Sequence, residues 1–325
     1  MNRRDFVAAL GGIAVSLLVA SRAAPGRPRL GILGLNAKAS LLADYTALSD
    51  GLRSLGYVEG QTLDIDERHA DGDVSRLPGL ARELLTSNPN VVLADAPSAA
   101  VAAKSAAPLV PIVCPIFVDS LMPRLAASYA HPGGSVTGLS FTVEGMIGKL
   151  VELTLDAVPG ATRIGVLVNP SSVAAPSLEQ QITSAAQARG FAVTIVTAAT
   201  PDDVRTVFER VAAAKVQALI IPSNALFIAM GSFIVGTALN SRMPLIFGER
   251  QLVEAGGLAS YGVDVPENFR RSAVYIDKIV KGASPGDLPI EFPTKFDLAI
   301  NLKTAKALGV TIPPTLVARA TDVIE

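Results

Sequence analysis

The chain carries one pattern twice. Arg29-Leu30-Gly31-Ile32-Leu33 returns as Arg163-Ile164-Gly165-Val166-Leu167, and Val91-Val92-Leu93 returns as Leu219-Ile220-Ile221. Pro111-Ile112-Val113 is echoed by Pro244-Leu245-Ile246, and the run Gly133–Gly138 by Gly256–Gly262. Four short apolar, strand-like runs in the same order imply two similar lobes, and two lobes imply a cleft in which a ligand can sit. A length of 325 residues with 50% hydrophobic content suffices for two cores.

Between the strand signals lie helix signals. Runs at Leu30–Leu35, Leu63–His69, Val91–Ala94 and Leu109–Phe117 read as strands; Tyr45–Leu55, Val74–Ser87 and Pro97–Ala107 read as helices. The segment from Pro201 to Lys215 shows the grammar best. Thr200 can cap it, Pro201 suits the first turn, and Asp202 and Asp203 favour the positive helix end. Val204, Val207, Phe208 and Val211 then form one apolar stripe. Short continuous apolar strands alternating with such helices predict parallel sheets covered on both faces. The fold class is therefore α/β: two doubly wound, Rossmann-like lobes joined by a hinge. Residues 24–140 with about 263–297 are expected to form the N-terminal lobe, and 141–262 with about 298–325 the C-terminal lobe. Phe292–Leu302 and Lys303–Leu308 read as a further strand and helix near the hinge, and Thr311–Glu325 as a tail packed back on one lobe.

The first 23 residues read as an export signal. Arg3-Arg4-Asp5-Phe6 precedes an apolar stretch from Val7 to Ala20, followed by Ser21-Arg22-Ala23. That stretch is shorter than the roughly 20 residues a spanning helix needs. The paired arginines resemble a twin-arginine signal, which implies the twin-arginine translocase as a transient partner and a periplasmic location. No cysteine follows the stretch, so no lipid anchor is expected.

Composition removes several function classes. A formal net charge of −1 without a basic cluster argues against nucleic acid. One cysteine, Cys114, and two histidines, His69 and His131, allow neither an internal disulfide nor a four-ligand zinc site. Cys114 lies in an apolar run and is expected to be a buried, inert thiol. Gly31-x-x-Gly34 is only a fragment of a dinucleotide fingerprint, and no G-x-S-x-G motif occurs. No catalytic residue, metal or cofactor is expected. An exported enzyme with a Rossmann-like domain remains the alternative class, and a sensory binding module the third.

In doubly wound sheets ligands bind beyond the carboxyl ends of the strands. That rule selects Asn36, Asp95, Ser98, Asp119, Ser140 and Thr142 in the first lobe. In the second it selects Asn169, Ser171, Ser223, Asn224, Glu249 and Tyr261. Ser98 or Asp95 could instead cap the following helix, and Ser171, Ser172 and Asn224 could be ordinary turn residues. Asp95 would favour a ligand amine; the helix start beside it would favour a carboxylate. Phe141 and Tyr261 could stack on an aromatic ligand or pack in the core. With no tryptophan and 5% aromatics, a sugar is disfavoured as the ligand.

Three stretches, Gly51–Gln61, His131–Ser140 and Phe292–Gly309, resemble the tryptophan/tyrosine-type substrate-binding proteins of ABC importers. The resemblance extends over essentially the whole chain after the signal. It implies a type I periplasmic-binding-protein fold and a soluble, monomeric receptor. Such a receptor holds an amino acid or related small carboxylate and hands it to an ABC permease and its ATPase. Departures fall near the ligand. Asp119-Ser120-Leu121 stands where that family usually has Asp-Pro-Val, His131 where arginine is common, and Asp95-Ala96-Pro97-Ser98 in place of a more neutral turn.

Overall fold

The structure, a computed structural model, describes residues 26–141, 145–172 and 175–325. The expected export signal and Thr142 lie outside the described residues. Among the described residues no helix is long and apolar enough to cross a membrane.

The first lobe follows the expected alternation. Its elements are β1 (Arg29–Gly34), α1 (Leu42–Ser54), β2 (Asp64–His69), α2 (Leu77–Leu85), β3 (Val91–Ala94), α3 (Pro97–Ala106), β4 (Ile112–Phe117), α4 (Met122–Leu125) and β5 (Val136–Ser140). The five strands are parallel, in the order β2-β1-β3-β4-β5. The second lobe opens with α5 (Met146–Ala157), β6 (Arg163–Val168), α6 (Ala175–Arg189), β7 (Ala192–Thr197) and α7 (Pro201–Ala213). It continues with β8 (Ala218–Ile221), α8 (Ala225–Ala229), α9 (Gly231–Asn240), β9 (Leu245–Phe247), α10 (Arg250–Glu254) and β10 (Ala259–Val263). After α11 (Val265–Val280) come β11 (Phe296–Asn301), α12 (Leu302–Leu308), α13 (Pro314–Val317) and β12 (Asp322–Ile324). The second sheet runs β12-β11-β10-β9-β8-β6-β7, so β7-β6-β8-β9-β10 repeats the order of the first sheet. Every repeated sequence run lands on a matching strand pair.

Glycines at matched positions show why the repeat keeps them. A Cβ on Gly31 in β1 would lie 3.2 Å from Leu84, and one on Gly165 in β6 would lie 2.9 Å from Leu219. In the fifth strands the fit is tighter. A Cβ on Gly138, at φ +150°, would lie 2.0 Å from the Cys114 carbonyl oxygen, and one on Gly262 would lie 2.3 Å from that of Gly248. Backbones there approach too closely for any side chain.

Each sheet is covered on both faces. On one face of the first sheet Leu30, Ile32, Leu93 and Val113 meet Tyr45, Leu48 and Leu52 of α1 and Phe269, Ala273 and Ile276 of α11. On the other face Leu33, Val92, Ile112 and Cys114 meet α2 and α3. Cys114 is fully buried, which pushes its thiol up to about 12 and keeps it protonated. In the second lobe α5 and α6 cover one face, and α7, α8, α9 and α10 the other. The stripe on α7 buries Val204, Val207 and Val211, with Phe208 packed beside them, and Thr200 and Asp203 close a capping box.

The sheet-covering helices are exchanged between lobes. After β5 completes the first sheet, the chain crosses and α5 packs on the second. After β10 it crosses back, and α11 packs on the first, with Gly51 of α1 only 2.5 Å (from its would-be Cβ) from the Arg270 carbonyl oxygen. A third crossing, through Glu291–Lys295, leads into β11; Leu139 bridges Glu291, and the Asp264 N–H donates to the Lys295 carbonyl at 3.2 Å.

Two features differ from the sequence reading. Parallel sheets are expected throughout, yet β11 pairs antiparallel with β10, because the chain re-enters the second lobe from the hinge end. Phe296 and Asp297 thus begin a strand of the second sheet. The C-terminal tail packs on the second lobe through Ile312 and Leu316, and its last residues also add β12 as an edge strand beside β11.

Candidate functional site

At the carboxyl end of the first sheet, Gly34 lets two polar side chains converge. A Cβ there would fall 2.3 Å from His69 Nδ1 and 2.9 Å from Asp95 Oδ2. Asp95 is 1% exposed and has both oxygens occupied: Oδ1 accepts from the Leu35 N–H at 2.8 Å and Oδ2 from the Tyr45 hydroxyl at 2.9 Å. Burial raises its pKa, and the two donors oppose that rise. Tyr45 is in turn pushed upward by burial and by the Asp95 charge. Asp95 therefore joins β1, β3 and α1. It does not cap α3, whose N-cap, Ala96, has no side-chain cap.

The other first-lobe candidates are spread along the rim. Asn36 is exposed directly after β1, its carbonyl 3.1 Å from His69 Nδ1. Ser98 lies in the first turn of α3 and lines a cavity of about 830 Å³ with Leu35, Ala96, Val118, Ser120 and Leu121. That cavity runs between α2, α3 and α4 on the first lobe, with Arg82 and Arg124 at its sides. Asp119 accepts from the Tyr129 hydroxyl. Ser140, fully buried at the end of β5, is held through its backbone: its N–H donates to Glu291 at 2.8 Å, and its carbonyl accepts from Asn268 Nδ2 at 3.3 Å. Asn268 also donates to the Pro115 carbonyl at 3.0 Å, so α11 fixes the ends of β4 and β5. Phe141 continues this edge, its N–H donating to the Phe117 carbonyl at 2.8 Å.

The second-lobe candidates form a trio, a pair and a stack. Asn169 Oδ1 accepts from the Ser171 N–H at 2.9 Å, and its amide lies 3.5 Å from Asn224 Oδ1, which also caps α8 through the Leu226 N–H. Ser171 and Asn224 thus take the turn and cap roles open to them. Ser223 donates to Glu249 Oε1. Burial raises the Glu249 pKa, partly offset by that donor. Tyr261 stacks on Phe296 with ring centroids 5.6 Å apart and an interplanar angle of 10°, so one of its faces belongs to the fold. Arg250 is committed to Glu254, Asp297 and Asp322.

The structure adds a residue the strand-end rule does not select. Asp44, in the first turn of α1, is 8% exposed and has no hydrogen-bond or ion-pair partner among the described residues. Burial, then the charges of Asp95, Glu249 and Asp264, push its carboxyl up to about 6. Glu249 belongs to the second lobe, so the charges that raise Asp44 come from both lobes. The one sequence signal for Asp44 is an acid near the positive end of a helix, which gives no hint of burial. Among the described residues no group of His, Cys, Asp or Glu is arranged to hold a metal ion.

Two like sheets and a chain that crosses three times between them make a two-lobed α/β molecule. Residues 30–324 match the sequence pattern of a family described as ABC transporter substrate binding protein. The chain belongs to that family. Its fold is the type I periplasmic-binding-protein fold. This substrate-binding chain is 26% identical over 257 residues to a tyrosine-binding protein of Clostridioides difficile (strain R20291), covering 79% of this chain and 74% of that protein. Among solved structures it resembles a Streptococcus pneumonia ABC domain in complex with L-Trp, at 26% identity and TM-score 0.80, covering 92% of this chain and all of that one. A conserved domain protein from Vibrio cholerae gives 29% identity and TM-score 0.79, covering 91% of this chain and 99% of that one.

Proposed function

We propose that this substrate-binding protein is the exported receptor of an ABC importer and that its solute is an amino acid, with aromatic amino acids first in line. The observation that carries this reading is the family match over residues 30–324 on a fold of two like sheets, each with its own set of polar strand-end residues. A zwitterion has a group for each kind of contact there: an ammonium for the carboxylates, and a carboxylate for the free N–H groups at the start of α3. The complex of a relative with L-Trp, and the tyrosine-binding relative, support the aromatic class. Binding draws the lobes together through contacts to both, and the closed form is handed to the permease. A dissociation constant near 1 μM corresponds to about −8 kcal/mol, within reach of a few satisfied polar contacts plus apolar burial.

Residues 1–23 supply the export step of this reading, by the twin-arginine route to the periplasm. A thermal-shift screen of the twenty amino acids, arabinose and small carboxylates tests the solute class. A rise in Tm with L-tryptophan or L-tyrosine is expected, since a ligand that binds only the folded state stabilises it. A screen in which no amino acid shifts Tm defeats the reading. Replacing Arg3 and Arg4 together by lysine is expected to stop periplasmic accumulation, and unimpaired accumulation rejects the twin-arginine route.

A further inference from the structure

We propose that the trough between α2, α3 and α4 is a second binding site, for a small amphipathic carboxylate, separate from the space between the lobes. Every residue that lines it belongs to the first lobe, and none comes from α1, α11 or the second lobe. Its floor is the outward side of α3. Ala99, Ala100 and Ala103 are buried against the sheet, while Ser98, Val101, Ala102 and Ser105 recur at helical spacing along the trough. Leu77, Pro78 and Arg82 of α2 bound it on one side, and Leu121 and Arg124, at α4, on the other.

These walls are held by the fold itself. Lys104 of α3 donates to the Arg124 carbonyl at 2.9 Å and to the Leu125 carbonyl at 3.1 Å, which ties α4 to α3. Leu77, Ala81 and Leu84 pack α2 into the same core as α3. The space of about 830 Å³ between them falls in the size range of small-molecule sites, which are apolar with a few placed polar groups.

Charge decides the occupant. Arg82, Arg124 and Arg242 are the arginines with neither a side-chain hydrogen bond nor an ion pair among the described residues, and two of those three flank this trough. Other arginines of the same lobe are matched with acids, as Arg68 is with Asp66 and Arg76 with Asp71. No Asp or Glu lines the trough. The Ser98, Ser105 and Ser120 hydroxyls also have no partner among the described residues and supply neutral donors. A guanidinium fork matches a carboxylate with two parallel hydrogen bonds. The apolar remainder of such a ligand covers Val101, Leu121 and Val74, whose side chain stands 54% exposed at the rim. An inorganic anion would leave this lining wet, and a neutral apolar molecule would leave both arginines without a counter-charge. Because the second lobe contributes nothing, the trough fills without lobe closure and independently of the solute.

The test is calorimetric titration with decanoate, kept below micelle formation, and with decan-1-ol as its uncharged counterpart. Decanoate is expected to bind the wild type, and decan-1-ol about tenfold more weakly, the loss of one charge-assisted contact. Arg82→Gln and Arg124→Gln, both at exposed positions, are each expected to weaken decanoate about tenfold. Arg242→Gln, on the second lobe, is expected to change nothing. Ser105→Trp fills the trough from an exposed floor position, and is expected to abolish decanoate binding while L-tryptophan binds as before. Saturating L-tryptophan is expected to leave decanoate affinity unchanged. Absence of decanoate binding overturns the proposal, as does equal affinity for decanoate and decan-1-ol. Equal losses for Arg242→Gln and Arg82→Gln, or full binding by Ser105→Trp, do the same. Displacement of decanoate by L-tryptophan places the anion between the lobes and also overturns it. Binding to phosphatidylglycerol vesicles without binding of free decanoate makes this face a membrane contact instead. If no amino acid binds, the solute reading falls, while the alcohol and arginine comparisons still decide this one.

Discussion

The two lobes share a strand order and matched glycines, yet they are finished differently. In the first, α11 brings Phe269, Ala273, Tyr275, Ile276 and Ile279 onto the sheet and presses its backbone against Gly51 of α1. In the second, the corresponding pair is α5 and α6, where α6 buries only Ala175, Ile182 and Ala186. Gly148 of α5 has no atom within 4 Å of its would-be Cβ, whereas Gly51 meets the Arg270 carbonyl at 2.5 Å. The second lobe instead extends its sheet with β11 and β12. Duplication thus preserved the parallel core, and each copy acquired a different support at the hinge. The lobe with the tighter helix pair is also the one that buries Asp44 and Asp95 beside the cleft.

The sharpest way to break this comparison is Gly51→Val. With backbone 2.5 Å from the new Cβ, α1 and α11 must separate, and a loss of about 3 kcal/mol in urea unfolding is expected. Gly148→Ala, in the open second-lobe position, is expected to be neutral or to gain up to about 1 kcal/mol. Equal losses for the two would mean that the helix pairs are equivalent after all. Next in size is Asn268→Ala, which strips the buried donor from the Pro115 and Ser140 carbonyls. A cost of about 2 kcal/mol is expected in the same measurement.

Asp44→Asn tests the first lobe's acid by its pH dependence. The Asp44 carboxyl titrates higher in the folded protein, at about 6 against 3.8, so its contribution is fully present below 3.8 and is lost as pH rises through 6. Without ligand, the asparagine variant is therefore expected to be more stable than the wild type at pH 7.5, by about 1–3 kcal/mol, and equal to it near pH 3.5. Thermal melts across that range check the sign; a variant less stable at pH 7.5 would show that Asp44 has a partner. The smallest effect belongs to the second lobe. Thr200→Ala removes one half of the α7 capping box and is expected to cost about 1 kcal/mol by urea unfolding.

Much of this molecule is legible from residue order. Repeated runs placed four strands of each lobe, though not β7, and Thr200, Pro201 and Asp203 marked the start of α7, because burial periodicity and caps are local properties. Strand ends followed from the sheet order, which is why Asp95, Ser98 and Glu249 fall just after β3 and at the starts of α3 and α10. What a side chain does there is decided by residues far away in sequence. Asp95 becomes a fully satisfied tie because Tyr45, fifty positions earlier, reaches it. Tyr261 becomes half of a stack because Phe296 enters on an antiparallel strand. Asp44 sits in the first turn of a helix, where no strand-end rule points, and the charges that act on it come from Asp95, Glu249 and Asp264, far away in sequence. β12 is a three-residue edge strand too short to show a period.

The exchange of α5 and α11 also sets the order in which the protein can be made. As the chain emerges, the first sheet is complete at Ser140, but one of its faces waits for α11, which ends at Val280. Apolar residues such as Leu93, Val113 and Leu139 therefore stay partly uncovered through synthesis of the whole second sheet repeat. A cut at the first crossover leaves the first fragment without α11, while the second keeps α5 on its own sheet and carries α11 without the sheet it covers, so the first lobe is not an independent folding unit. The lobe that is made first is thus the one that is finished last, by a helix translated after the second lobe's parallel strands.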